Sequence, residues 1–140
     1  MSDSNQAIEL AKSIHTALNT NIFVQNILGD PPRLYDHVPA DPIYPYLTYG
    51  PMRSEDVGGD MSPMTTHTLT LHIWSRYSGR AEILNGLAII TDVFETGSLQ
   101  LDTAELISAH VVFNDNFRAP DGRTLHGLIR LQVTTQPLTE

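Results

Sequence analysis

Two segments of the chain alternate strictly between apolar and polar residues. In Thr66–Arg76, His67, Leu69, Leu71 and Ile73 fall on one side of an extended strand; Thr66, Thr68, Thr70, His72 and Trp74 fall on the other. In "TLHGLIRLQVTT", residues 124–135, Leu125, Gly127, Ile129, Leu131 and Val133 oppose His126, Leu128, Arg130, Gln132 and Thr134. Such alternation predicts strands with one face on a core and the other open. Elsewhere the period becomes helical. Ala7, Leu10, Ala11, Ile14, Ala17 and Leu18 predict an amphipathic helix over 4–19, with Asp3 and Gln6 as a capping-box variant. A second helix is predicted from Arg80 to Thr96, with Leu84, Leu87, Ala88, Thr91 and Phe94 as its stripe and Gly97 at its stop. Between Thr20 or Asn21 as cap and Gly29 as stop, "IFVQNIL" predicts a short helix that plugs one end of the core.

The remaining text is turn-rich. Five prolines between Asp30 and Pro45 forbid helix but tolerate a short edge strand at Arg33–Asp36. "PYLTYG", Pro45–Gly50, predicts a strand. Residues 51–64, "PMRSEDVGGDMSPM", have no apolar period and carry Gly58-Gly59, which predicts a long hairpin loop. "SLQLDT" and "LISAHVVFNDNFR" predict strands, and "APDG" at 119–122 a type I turn. The order of helix, strands, helix, strands lacks the regular repeat of a parallel sheet. The expectation is an α+β fold forming a single domain over 1–140. An antiparallel β-sheet would have two main α-helices packed on one face and an open face bearing Thr, His, Trp and Arg.

Composition narrows the function. A chain of 140 residues is long enough to bury a core without staples, and the lack of cysteine removes disulfides, thiolate catalysis and Cys-based zinc sites. The N-terminal "MSDSNQAIEL" has no basic or apolar signal region, and no apolar run reaches bilayer length; the expectation is a soluble, unexported chain without a membrane partner. A formal net charge of −8 argues against tight sequence-independent DNA binding, which draws on Lys and Arg.

Catalytic chemistry finds little support. His67 and His72, five residues apart, point to opposite faces of one strand; with His110 and His126 they match no metal-ligand spacing, and the plainer reading makes them sheet-surface or interface residues. Ser75, Ser78 and Ser98 lack a nucleophile elbow. "SGRAE" reads as a helix start at which Glu82 reaches back to a backbone amide. "GGD" at 58–60 is no phosphate loop, and "DGR" at 121–123 is turn chemistry. No catalytic residue, metal or cofactor is expected.

Assembly fits the remaining features better. Trp74 lies on a polar strand face, methionines and acids share the 51–64 segment, and the second half of the chain supplies long strand edges. The candidate interface is therefore Met52, Arg53, Glu55, Asp56, Asp60, Met61, Met64, Trp74 and Arg76. Trp74 is expected to be covered by a neighbouring subunit or by the protein's own long loop. His72, at the rim of a threonine-rich face, is expected to be replaceable.

"YPYLTYG", "HTLTLHIWSR", "SGRAE" at a helix start and "PDGRTLHGLIRLQV" resemble, in order and spacing, a family of phage and gene-transfer-agent tail-completion proteins, collinear from the first helix to about Thr135. That family is similar in fold to the tail terminators of long-tailed phages. The resemblance implies a structural virion protein without catalytic residues, assembled in the bacterial cytoplasm and placed at the head-proximal end of the tail. It implies a homo-oligomer, a hexameric ring, that caps the tail tube protein, stops its polymerisation and offers a docking surface to the head-tail connector or adaptor. DNA would pass through the ring without specific binding, and an acidic channel would keep phosphates from adhering. The alternatives are another head-tail joining or tube-like ring protein of the same particle, or a small α+β ligand-binding dimer or enzyme.

Overall fold

The computed structural model describes residues 3–59, 63–97 and 99–138, with side chains from Gln6 onward. The elements in chain order are α1 (Asp3–Thr20), α2 (Ile22–Leu28), β1 (Leu34–Tyr35), β2 (Tyr46–Asp56), β3 (Thr65–Ser75), α3 (Ala81–Glu95), β4 (Ala104–Arg118) and β5 (Leu125–Pro137). The strands form one five-stranded sheet in the order β1-β2-β3-β5-β4. Every pairing is antiparallel except that of β1, which runs parallel to β2 in the register Leu34↔Leu47. The sheet is therefore mixed rather than wholly antiparallel. The short strand expected at 33–36 is present at the edge.

The alternation read in β3 and β5 sets the layers. Leu69, Leu71 and Ile73 of β3 and Leu125, Ile129, Leu131 and Val133 of β5 are buried beneath the helices, joined by Leu10, Ile14 and Leu18 of α1 and Ile83, Leu87, Ile90, Val93 and Phe94 of α3. Among the described residues, no helix packs on the opposite face of the sheet. Asn21 caps α2 as expected, its side-chain carbonyl accepting from the amides of Phe23 and Val24 at 2.9 and 3.1 Å. The Asp3 side chain lies outside the described residues. Gln6 is buried, and its side-chain carbonyl accepts the Thr135 hydroxyl.

Three expectations need correction. Residues 51–56 belong to β2 rather than to a loop: β3 offers a complete ladder, and a register irregularity between Tyr49 and Met52 accommodates Pro51, which cannot donate to it. The hairpin connection is thus residues 57–64. "SLQLDT" forms no strand in its described part, 99–103; Leu99 is instead a buried plug of the core. The buried stripe of α3 is Ile83, Gly86, Leu87, Ile90, Val93 and Phe94, so Leu84, Ala88 and Thr91 lie on its flank.

Close packing of α3 on the sheet depends on Gly127. A Cβ there would meet Ile83 Cδ1 at 2.9 Å and Leu87 Cδ2 at 3.2 Å. Gly127→Ala is expected to lower stability by about 1–2 kcal/mol through overpacking, as read from the denaturant midpoint. An unchanged midpoint would show that α3 can lift away without cost.

Candidate functional site

The open face of the sheet divides into two chemistries. Toward the Asp56–Thr65 end of the β2/β3 hairpin it is hydroxyl-rich, with Thr66 and Thr134 sharing a hydrogen bond of 3.1 Å. Toward the other end it is aromatic. Tyr46 pairs with Trp74 across β2 and β3, and Trp74 with His126 across β3 and β5. The Trp74 and His126 rings stack at 3.9 Å between centroids, 14° from parallel, and Phe117 of β4 meets His126 edge-on at 4.9 Å. Tyr35 and Tyr44 approach Tyr46 at 5.8 and 5.0 Å. Trp74 Nε1 donates to Thr48 Oγ1 at 3.0 Å, so the indole is fixed at both its apolar and its polar ends.

Burial, with Tyr44 alongside, pushes the Tyr46 hydroxyl up to about 12. Arg76 closes the strip: its guanidinium sits 4.3 Å from the Tyr44 ring centroid, and its Nε donates to Thr124 Oγ1 at 3.1 Å. Asp121, accepting from the Thr124 hydroxyl and the amides of Thr124 and Arg123, is held down at about 2 and organises the β4/β5 turn.

His72 Nδ1 and His126 Nε2 lie 2.7 Å apart, a hydrogen bond in which one ring must be neutral and accepting. Burial lowers the pKa of both rings from 6.5, and their mutual repulsion lowers that of His126 further. The sign follows. As pH falls below about 6.5 the unfolded chain takes up these protons first, so stability is full above that pH and declines below it. Between pH 7 and pH 5 the melting temperature is expected to fall more steeply in the native chain than in the double variant His72→Gln, His126→Gln. Equal slopes would mean that the pair does not govern the acid response. His72 is thus a ring paired across two strands rather than an isolated residue at the rim of the face.

The candidate interface residues do not converge. Trp74 and Arg76 belong to the aromatic end. Arg53, Glu55 and Asp56 lie near the opposite end of β2, about nine residues and hence about 30 Å away along the strand. Arg53 and Glu55 form an exposed pair at 3.0 Å on the open face. Met52 turns to the helix side, lining a cleft of about 580 Å³ with His15, Asp36 and Tyr49. Met64 is half-buried just before β3. Asp60 and Met61 lie outside the described residues. The described parts of the hairpin connection adjoin the Asp56↔Thr65 end of the ladder, whereas Trp74 pairs with Tyr46 at the other end, so those parts do not cover it.

Sequence reasoning missed the role of His67. It is fully buried, Nδ1 lying 2.7 Å from Ser54 Oγ and Nε2 3.0 Å from Thr135 Oγ1. Because Thr135 donates onward to Gln6, its oxygen accepts from His67, whose Nδ1 then accepts from Ser54. The signal available was its place on the apolar face of β3. Glu82 likewise accepts the Ser75 hydroxyl at 2.7 Å rather than a backbone amide. No cluster of three or more potential metal ligands occurs among the described residues.

The chain is thus an α+β domain whose open sheet face is aromatic at one end and hydroxyl-rich at the other. The sequence profile described as tail completion protein gp17 matches residues 12–136. The chain belongs to the tail completion protein gp17 family. This tail completion protein is similar in fold to a chain of the virion of a native gene transfer agent particle, at a TM-score of 0.82, 17% identity and coverage of 93% of this chain and 96% of that one. It is also similar to the gp17 protein of bacteriophage SPP1, at a TM-score of 0.61, 17% identity and coverage of 97% and 93%. No curated protein matches the sequence. The family is a structural one of the virion tail, and tail completion is the role that membership assigns.

Proposed function

We propose that the protein is a tail terminator: a ring of identical subunits, a hexamer, that sits on the last ring of the tail tube, stops its polymerisation and presents the surface to which the head connector docks. The family match over residues 12–136 carries this reading. The charge along the strands supports it. The hairpin end bears Arg53, Glu55 and Asp56, a net negative set, whereas the opposite end bears Arg76, Arg80, Arg118 and Arg123 with Asp121, a net positive one, so the two ends suit two different partners. Of the candidate residues, Met52, Arg53, Glu55, Asp56, Asp60, Met61 and Met64 would serve one partner and Trp74 and Arg76 another. The net charge of −8 suits a conduit through which DNA passes without adhering.

Deleting the gene is expected to leave full heads with overlong or unattached tails in electron micrographs. Particles of normal tail length and normal infectivity or transduction would refute the role.

A further inference from the structure

Ile8, Ile43, Val57 and Leu138 are exposed apolar side chains on separate elements, but others gather. Phe23 of α2 and Tyr77 before α3 form one group, with Ile22 next to Phe23 in the chain; Ile107, Val112, Phe113 and Phe117 of β4 form another, Phe113 and Phe117 standing on the open face of the sheet beside Arg130 and His126. The first group borders a groove of about 590 Å³ lined by Phe23, Ile27, Tyr77, Ala81 and Ile89. The second is a projecting edge, because β4 is the outermost strand and has no partner beyond it.

The groove meets one flank of α3, and strand β4 meets another. At about 100° per residue, Glu82, Asn85 and Ile89 share the flank that meets the groove, and Leu84, Ala88, Thr91 and Glu95 share one turned roughly 120° away. Glu95 fixes where the second flank lies: its carboxylate accepts the Val111 amide at 2.9 Å and stands 3.7 Å from His110, both on β4. That bond also caps the outer ladder of β4 at its middle, so the edge is poorly made for adding a strand and well made for side-chain contact.

We infer that the β4 edge of one copy, through Val112, Phe113 and Phe117, seats in the α2/α3 groove of the next copy, and that repetition of this one contact closes the ring. This rests on the ring proposed above. A closed ring of identical subunits needs two different, complementary patches on each subunit, and here one is concave and the other projecting. Charge matches as well. Among the described residues Glu82 is the one charged residue lining the groove, and the edge carries Arg118 and Arg130, whose guanidinium sits 5.4 Å from the Phe113 ring centroid, against a single acid, Asp115, between the two phenylalanines.

The test uses Phe23→Asp, which spoils the groove, and Phe113→Asp, which spoils the edge. Both residues are exposed, at 62% and 45%, so each variant should melt like the native chain. Sedimentation of the native protein, alone and with tail tubes, is expected to give rings. Each variant alone is expected to stay monomeric, with association weakened at least tenfold. Mixed in equal amounts, they are expected to form heterodimers, since one intact edge meets one intact groove. Native rings together with variants that assemble equally well, or a mixture that stays monomeric, would overturn this contact while leaving the ring standing. A native protein that forms no ring under either condition would overturn the ring and the contact together.

Discussion

His67→Ala is expected to destabilise the fold by about 3–4 kcal/mol. The substitution removes a fully buried ring from between Ser54 and Thr135, leaving a cavity and stranding hydroxyls whose partner was the imidazole. The chain of hydrogen bonds ties β2, β3 and β5 to Gln6 of α1, so its loss loosens three strands and a helix together. Denaturant unfolding should show a large fall in midpoint. Thr135→Val should cost less, and the double variant less than the sum of the two, because both act on one network. A loss below about 1 kcal/mol for His67→Ala would mean that the buried imidazole is a tolerated occupant rather than a strut.

Trp74→Ala carries the second large effect, on assembly. Within one subunit Trp74 stacks on His126 and donates to Thr48, which together are worth about 1–2 kcal/mol of folding stability. If the aromatic strip of the open face meets a partner, the indole is its best anchor, and truncation should weaken association by about 2 kcal/mol or more, roughly thirtyfold. Comparing monomer unfolding with ring formation or tube-end binding separates the two. A variant that unfolds at much lower denaturant yet binds its partners with native affinity would make Trp74 a purely intramolecular residue.

The strict period of two placed β3 and β5 and gave each residue its correct face, His67 included. A strand that buries one face leaves no freedom in which residues point inward. Helix starts and turns were equally local. Asn21 before α2 and "APDG" between β4 and β5, with the Gly122 amide donating to the Ala119 carbonyl at 3.0 Å, draw on residues within a few positions of one another. The relationship to tail completion proteins was also legible, because it lies in the order and spacing of short words along the whole chain.

What the sequence by itself determined, then, was the elements and their faces wherever the pattern was periodic and the chemistry near in the chain. Only the tertiary structure decided which of several apolar faces was used. Helix α3 carries Ile83, Leu84, Leu87, Ala88, Ile89 and Ile90, a band too wide to name its own buried side; packing on Gly127 and Ile73 chose the flank that leaves Leu84 in solvent. The extension of β2 through Pro51 to Asp56, and the parallel pairing of β1, depended on a ladder supplied by another strand, which no local propensity encodes. The pairing of His72 with His126, 54 residues apart, likewise came from the register of two strands. Hydrogen bonds between side chains so distant in sequence leave no periodic trace, because the energy that forms them becomes available only after the chain has closed the loop between them.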